Sequence, residues 1–156
     1  MFTLQRHIEI PAPVEEVFEF HLDVRNLLRV SPPFIPAKLA TFPERLGLGA
    51  RIELRAQLGP MWLEWSFEVS EFRPDERFTV RQLCGPLKSW EHVHAFEPTE
   101  GGTRLTDTVR YELRGGLFGH VVPPTVIHRH IRRTLRHRQR RTLEVMAEGR
   151  GDAPGR

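Results

Sequence analysis

Two histidines one residue apart, His92 and His94, and an aspartate further along, Asp107, hold most of the chemistry this sequence can offer. An imidazole oriented by a carboxylate is a general base for proton abstraction or dehydration. The same groups equally make a polar network that fixes strand register, because buried polar atoms must find partners. Ligand hydrogen bonding is a third use. A metal could also be ligated by two imidazoles and a carboxylate, but the C-x-x-C and H-E-x-x-H spacings of dedicated zinc sites are missing, so no metal is expected. Arg138 is the other signal, since it falls among apolar residues of a helix on which the other arginines lie elsewhere. Such a cation is held by an internal acid, snorkels to the cavity mouth, or grips an anionic ligand group through its forked donors. No Ser-His-Asp, G-x-S-x-G or P-loop pattern occurs. Gly115-Gly-Leu-Phe-Gly119 sits in no βαβ unit, and no cofactor is expected.

The elements that must position these residues follow from periodicity. Phe2 to Ile10 alternates apolar and polar as a half-buried strand should. Pro11-Ala-Pro13 stops it and opens a short helix on Val14, Val17, Phe18 and Leu22, with Glu15 and Glu16 complementing its positive end. Asp23 can cap a second short helix that Pro32-Pro33 ends. Period-two runs then predict strands at 37–42, 50–58, 61–72, 77–84, 88–97 and 103–113, separated by Gly- and Pro-bearing turns. Connections this short favour antiparallel neighbours. A break at Gly115, Gly116 and Gly119 precedes a helix from about Pro124 to Ala147. The fold class is therefore α+β, a curved antiparallel sheet of about seven strands wrapped around a long C-terminal helix. Residues 1–148 read as one domain and 149–156 as a flexible tail.

Alternation assigns the inner face. Trp90, His92, His94 and Phe96 share one side of their strand, and Leu105, Asp107, Val109, Tyr111 and Leu113 face them from the next. One hairpin register sets His92 opposite Asp107; a register shifted by two sets His94 there. Met61, Leu63, Trp65, Phe67 and Val69 are expected inward, as are Ile52, Leu54, Ala56, Leu58, Phe78, Val80, Gln82 and Cys84, the last as a small core residue. On the helix, Ile127, Ile131, Leu135, Thr142, Val145 and Met146 form one face with Arg138 near its middle. The expected ligand wall is thus Trp65, Phe67, Phe78, Trp90, His92, His94, Phe96, Asp107, Tyr111, Ile131, Leu135 and Arg138, mostly aromatic with few polar groups, as small-molecule sites are.

Charge and length bound the partners. The chain has 156 residues with 23 basic and 20 acidic side chains. Residues 126–148 carry seven arginines against two glutamates, a net +5. Only two lysines accompany 21 arginines in the chain, so an Arg-biased solvated helix face explains this better than a nucleic-acid surface. A single cysteine, no apolar leader and no run approaching the ~20 residues of a membrane span predict a cytoplasmic protein.

The element order, with Ile8-Glu-Ile-Pro-Ala-Pro-Val-Glu-Glu-Val-Phe18, resembles the helix-grip superfamily of START lipid-binding domains, birch-pollen-allergen proteins and polyketide cyclase/dehydrase proteins. Gly85-Pro-Leu-Lys-Ser-Trp-Glu-His-Val-His-Ala-Phe-Glu-Pro98, with Gly-Gly-Thr-Arg-Leu-Thr-Asp107, is similar to a bacterial SRPBCC ligand-binding branch. The resemblance spans residues 2–147 and implies a hydrophobic cavity without specifying a reaction. The leading expectation is a binder of a lipophilic aromatic, polyketide-like or acyl molecule. The alternatives are a cofactor-independent cyclase or dehydratase using the His–Asp pair, and an RNA, ribosome or anionic-lipid module using the arginine face. Enzymatic activity and oligomeric state stay open.

Overall fold

The computed structural model describes residues 1–58, 60–115 and 123–151. Strand β1 (Phe2–Ile10) leads into helices α1 (Val14–Leu22) and α2 (Val24–Val30). Six strands follow: β2 (Ala37–Thr41), β3 (Arg51–Leu58), β4 (Met61–Arg73), β5 (Arg77–Cys84), β6 (Ser89–Thr99) and β7 (Gly102–Glu112). The long helix α3 runs from Pro124 to Gly151. It therefore extends through Gly149 and Arg150, which the sequence assigned to the tail. Arg150 is held there by Glu16 at 3.1 Å and by the Pro11 carbonyl. Residues 152–156, the break at Gly116 and Gly119 and the side chain of Leu58 lie outside the described residues.

Local chemistry sets the helix boundaries. Proline cannot extend the β1 ladder, and Pro13 takes the cap position of α1 ahead of Glu15 and Glu16. Asp23 ends α1 and caps α2, its carboxylate accepting the Arg25 backbone N–H at 3.0 Å. The sheet is antiparallel in the order β1-β7-β6-β5-β4-β3-β2. β2 to β7 form the expected meander. β1 joins it by pairing with β7 at the far edge from β2, so α1 and α2 cross from one edge to the other.

Two register shifts in the β4–β5 ladder, between Ser66 and Phe67 and between Val69 and Glu71, bend the sheet. They also correct the expected faces. Beyond the second shift Phe72 turns inward, 5.6 Å from Phe18 between ring centres. The first shift leaves Cys84 exposed rather than in the core. Met61, also expected inward, is 50% exposed at the strand end.

The core has two apolar parts. Under α1, Phe18, Leu22, Val69, Phe78, Phe96, Leu105 and Met146 pack together. Under α3, Leu4, Val109, Tyr111, Ile131 and Leu135 form the second cluster. The α3 phase is as the sequence predicts: Ile131, Leu135, Thr142, Val145 and Met146 are buried.

The β6–β7 hairpin docks on the β1–α1 bend. Thr103 Oγ1 donates to the Ala12 carbonyl at 2.7 Å. Gly102, at φ +144°, allows this approach: a Cβ there would stand 2.2 Å from the Ile10 carbonyl oxygen and 2.8 Å from the Ala12 nitrogen. Neither backbone atom can yield, and the conformation itself suits glycine alone. At Gly101, one residue earlier, a Cβ meets nothing within 4 Å. Gly102→Ala is expected to lower stability by more than about 2 kcal/mol in urea titration, while Gly101→Ala stays within about 0.5 kcal/mol. Equal effects from the two variants contradict this docking.

Candidate functional site

A buried polar cluster separates the two apolar clusters. The hairpin register sets His94 opposite Asp107 and Arg6 of β1 on its other side. His92, one residue pair along the same face, still reaches it. Its Nε2 lies 2.9 Å from Asp107 Oδ1, so both histidines meet the carboxylate. His94 Nδ1 is 2.8 Å from the same oxygen but out of line for a hydrogen bond. Gln139 of α3 donates to Asp107 Oδ2 at 2.7 Å and to the Arg6 carbonyl at 3.3 Å, fastening the helix to β1 and β7. His92, His94 and Asp107 are at most 7% exposed.

Two further groups close the cluster. His21 of α1 donates from Nδ1 to the Val17 carbonyl at 2.7 Å, and its ring stands 5.9 Å from that of His94. Arg138 lies half-buried on the inner side of α3, close enough to Asp107, His21, His92 and His94 to act on their charges. The helical phase assigned from the sequence therefore holds. Of the roles open to it, the internal ion pair is not formed: no carboxylate among the described residues comes within ion-pair distance of Arg138.

The electrostatics follow from burial and crowding. Burial, then the neighbouring His92, pushes the His94 pKa down to about 4. Burial and His94 do the same to His21, also to about 4. Burial lowers His92 as well, opposed by its bond to Asp107. Burial alone would raise Asp107, but the His92 and His94 contacts hold it well below the usual carboxylate range. The cluster at neutral pH is thus one carboxylate anion, neutral imidazoles and one guanidinium. Arg138 stays charged although burial lowers its pKa.

The expected aromatic wall divides. Phe78 and Phe96 are closed in the core, at 6.0 and 5.1 Å from the Phe18 ring. Tyr111 is fully buried, its hydroxyl 3.0 Å from His128 Nδ1. Trp65, Phe67 and Trp90 point to the same inner side but remain partly exposed. Trp65 stacks on Phe67 at 5.2 Å and meets Trp90 edge-on at 5.8 Å; Trp90 lies 6.4 Å from His92. Trp90 thus brings the open rings up against the edge of the buried polar cluster. Trp65 Nε1 and Gln82 Oε1 on this wall are buried without hydrogen-bond partners among the described residues. Gly85 keeps the wall tight, because a Cβ there would come within 2.5 Å of the Trp65 indole.

Sequence reasoning missed His21, Gln139 and Arg6. The first two carried a signal: His21 follows Val17 by four residues and Gln139 follows Leu135 by four, each on a known apolar face. His92, His94 and Asp107 also offer three ligand atoms within 4.8 Å of one another, a geometry that could hold a metal ion.

A family model described as "Polyketide cyclase / dehydrase and lipid transport" matches residues 10–140. No curated protein matches the chain. Among solved structures, a protein from Chromobacterium violaceum is similar at TM-score 0.72 and 14% identity, covering 93% of this chain and 97% of its own. Ara h 8.0201 is similar at TM-score 0.69 and 12% identity, with 94% and 98% covered. A nucleoside-diphosphate sugar epimerase from Corynebacterium glutamicum shares 29% identity at TM-score 0.64 over 94% of this chain, which is 29% of that longer one.

The pH dependence of stability follows from the histidines. His94 has a lower pKa folded than its ordinary 6.5, so the unfolded chain takes up more protons as pH falls. Its contribution is complete above pH 6.5 and is lost toward pH 4, an effect on the order of 3 kcal/mol. Urea titrations at pH 7.5 and 4.5 are expected to show this loss together with a like one from His21, and His94→Gln, which cannot titrate, to make the difference smaller by its own share. An unchanged slope in His94→Gln would remove the buried neutral imidazole from the account.

Proposed function

The chain belongs to the polyketide cyclase / dehydrase and lipid transport family, and from that premise we propose that it binds a lipophilic small molecule, aromatic, polyketide-like or acyl, between the inner face of β3–β6 and α3. The observation that carries this reading is the half-exposed inner wall. Leu54, Leu63, Trp65, Phe67 and Trp90 share the face of buried Ile52 and Val69 yet stay accessible. An apolar surface left open inside a curved sheet is favourable to cover, at about 25 cal/mol per Å². Trp65 Nε1 and Gln82 Oε1 add one donor and one acceptor to orient a ligand.

The outer face of the sheet offers a contrast. Its groove of about 490 Å³ is lined by Glu71, Arg77, Thr79, Glu91 and Arg110, among others. Arg77 already pairs with Glu71 and Arg110 with Glu91, so this surface is polar and self-satisfied. The arginine face of α3 fits a solvated helix better than an RNA or lipid surface, since Arg140 and Arg141 are engaged by Glu144. No helix among the described residues is long and apolar enough to cross a membrane. We take residues 1–148, with the last turn of α3 that Arg150 ties to Glu16, as one domain working in the cytoplasm.

A cyclase or dehydratase reading would use His92 or His94 as base with Asp107 as orienter. It draws less support, because a base works best with a pKa near the operating pH and His94 sits at about 4. Both imidazoles are also covered, at 4% and 7% exposure. The cluster supports a structural and ligand-facing role first.

The test is titration with Nile red, a neutral lipophilic dye. The wild-type chain is expected to give saturable blue-shifted emission, and Trp65→Ala to weaken binding at least tenfold. Because Trp65 is partly exposed, the variant's folding should survive by circular dichroism. Absence of saturable binding, or equal affinity in Trp65→Ala, contradicts the reading.

A further inference from the structure

Arg138 is a cation with its donors unspent. Its natural partner, Asp107, is already occupied: Oδ1 receives His92 and lies against His94, while Oδ2 receives Gln139. The Arg138 guanidinium has no hydrogen bond or ion pair among the described residues, although the residue is half-buried on the inner side of α3. The other α3 arginines are differently placed. Arg132 reaches His128, Arg141 reaches Glu144 and Arg150 reaches Glu16, all at the surface. One turn before Arg138, on the same flank of the helix, the Thr134 hydroxyl is buried without a partner. Two orphaned donors on adjacent turns, with Arg138 near the same His92 that Trp90 meets, are what an oxyanion would satisfy.

We propose that Arg138, with Thr134, receives the carboxylate of the ligand, so that the molecule bound is an amphipathic acid with its apolar body on Trp65, Phe67 and Trp90. The inference rests on the lipophile-binding reading above and names its ligand class. Ring spacings join the two ends: Trp90 lies 6.4 Å from His92, and Trp65 a further 5.8 Å from Trp90. A carboxylate fits better than a phosphate monoester. The site supplies one free positive charge beside the ionised Asp107, and a dianion would leave excess negative charge in a buried place. Arginine's planar fork matches a carboxylate through two parallel hydrogen bonds. His21, His92 and His94, neutral at pH 7, would neither add charge nor compete.

The probes are 11-(dansylamino)undecanoic acid and its methyl ester, compared by fluorescence titration at pH 7.5. The wild-type chain is expected to bind the acid at least tenfold more tightly than the ester. Arg138→Gln should bring the acid down to the ester's affinity and leave the ester within about twofold, because only the head group loses its partner. Its apo melting temperature should hold or rise, since a half-buried charge without a hydrogen-bonded partner is removed. Arg136→Gln, on the exposed face, is the matched control and should keep the full preference. Equal binding of acid and ester by the wild-type chain overturns the carboxylate assignment alone and leaves the lipophile reading intact. Failure of both probes overturns both. A preference surviving in Arg138→Gln, or an unfolded Arg138→Gln chain, places Arg138 in the scaffold and also overturns it.

Discussion

One buried carboxylate organises this molecule. Asp107 is 4% exposed and ionised, and an anion in that position must be surrounded by donors. His92 and His94 come from β6, Gln139 from α3, and each contact fixes an element relative to β7. The register of the β6–β7 hairpin, the rotation of α3 and the depth at which α3 sits over β1 all follow from satisfying two oxygens. The histidines stay neutral because a second cation in so crowded a place would be costlier than the imidazole's loss of charge. Removing any donor leaves charge uncompensated, whereas the apolar clusters on either side tolerate exchanges of similar volume.

That arrangement has a consequence for the open side of the fold. Because each oxygen of Asp107 already accepts from a neutral donor, Arg138 is left charged and without an ion pair beside it. The closed core has two parts, one under α1 where Phe18, Phe96 and Leu105 pack together and one under α3 where Tyr111 and Leu135 do. Register shifts interrupt the β4–β5 ladder, and on the β3–β4 side of it the inner rings are only half-covered. Stability is therefore concentrated in one half and accessible apolar surface in the other. A polar cluster marks the border. This division is what lets a chain of 156 residues keep a binding surface without unravelling its core.

Much of this was legible in the sequence, for reasons that differ by residue. Strand alternation has a period of two, so the inner set His92, His94 and Phe96 on β6 and Leu105, Asp107 and Val109 on β7 could be assigned without a structure. The register between them could not, because either of two hairpin pairings keeps apolar residues inward. The outcome dissolves the choice, since both imidazoles are long enough to reach one carboxylate. Bulges were invisible: Ser66 to Phe67 and Val69 to Glu71 look like uninterrupted alternation, and this moved Cys84 out and Phe72 in. The pairing of β1 with β7 depends on contacts about a hundred residues apart, which no local pattern encodes. Arg138 was correctly aimed by the 3.6-residue period, but its lack of a partner was legible only once Gln139 and the histidines were seen to fill Asp107.

The charge states within that cluster decide what Arg138 can bind, and nitrogen-15 NMR of the histidine side chains reads them directly. The His94 ring should give neutral-imidazole shifts throughout pH 5.5 to 8 in the apo chain and titrate only near 4, with His92 titrating below the ordinary imidazole range. An imidazolium signal for either ring with a midpoint near 6.5 would contradict it. Asp107 would then be neutralised by a histidine, and the unpaired charge on Arg138 would need another explanation.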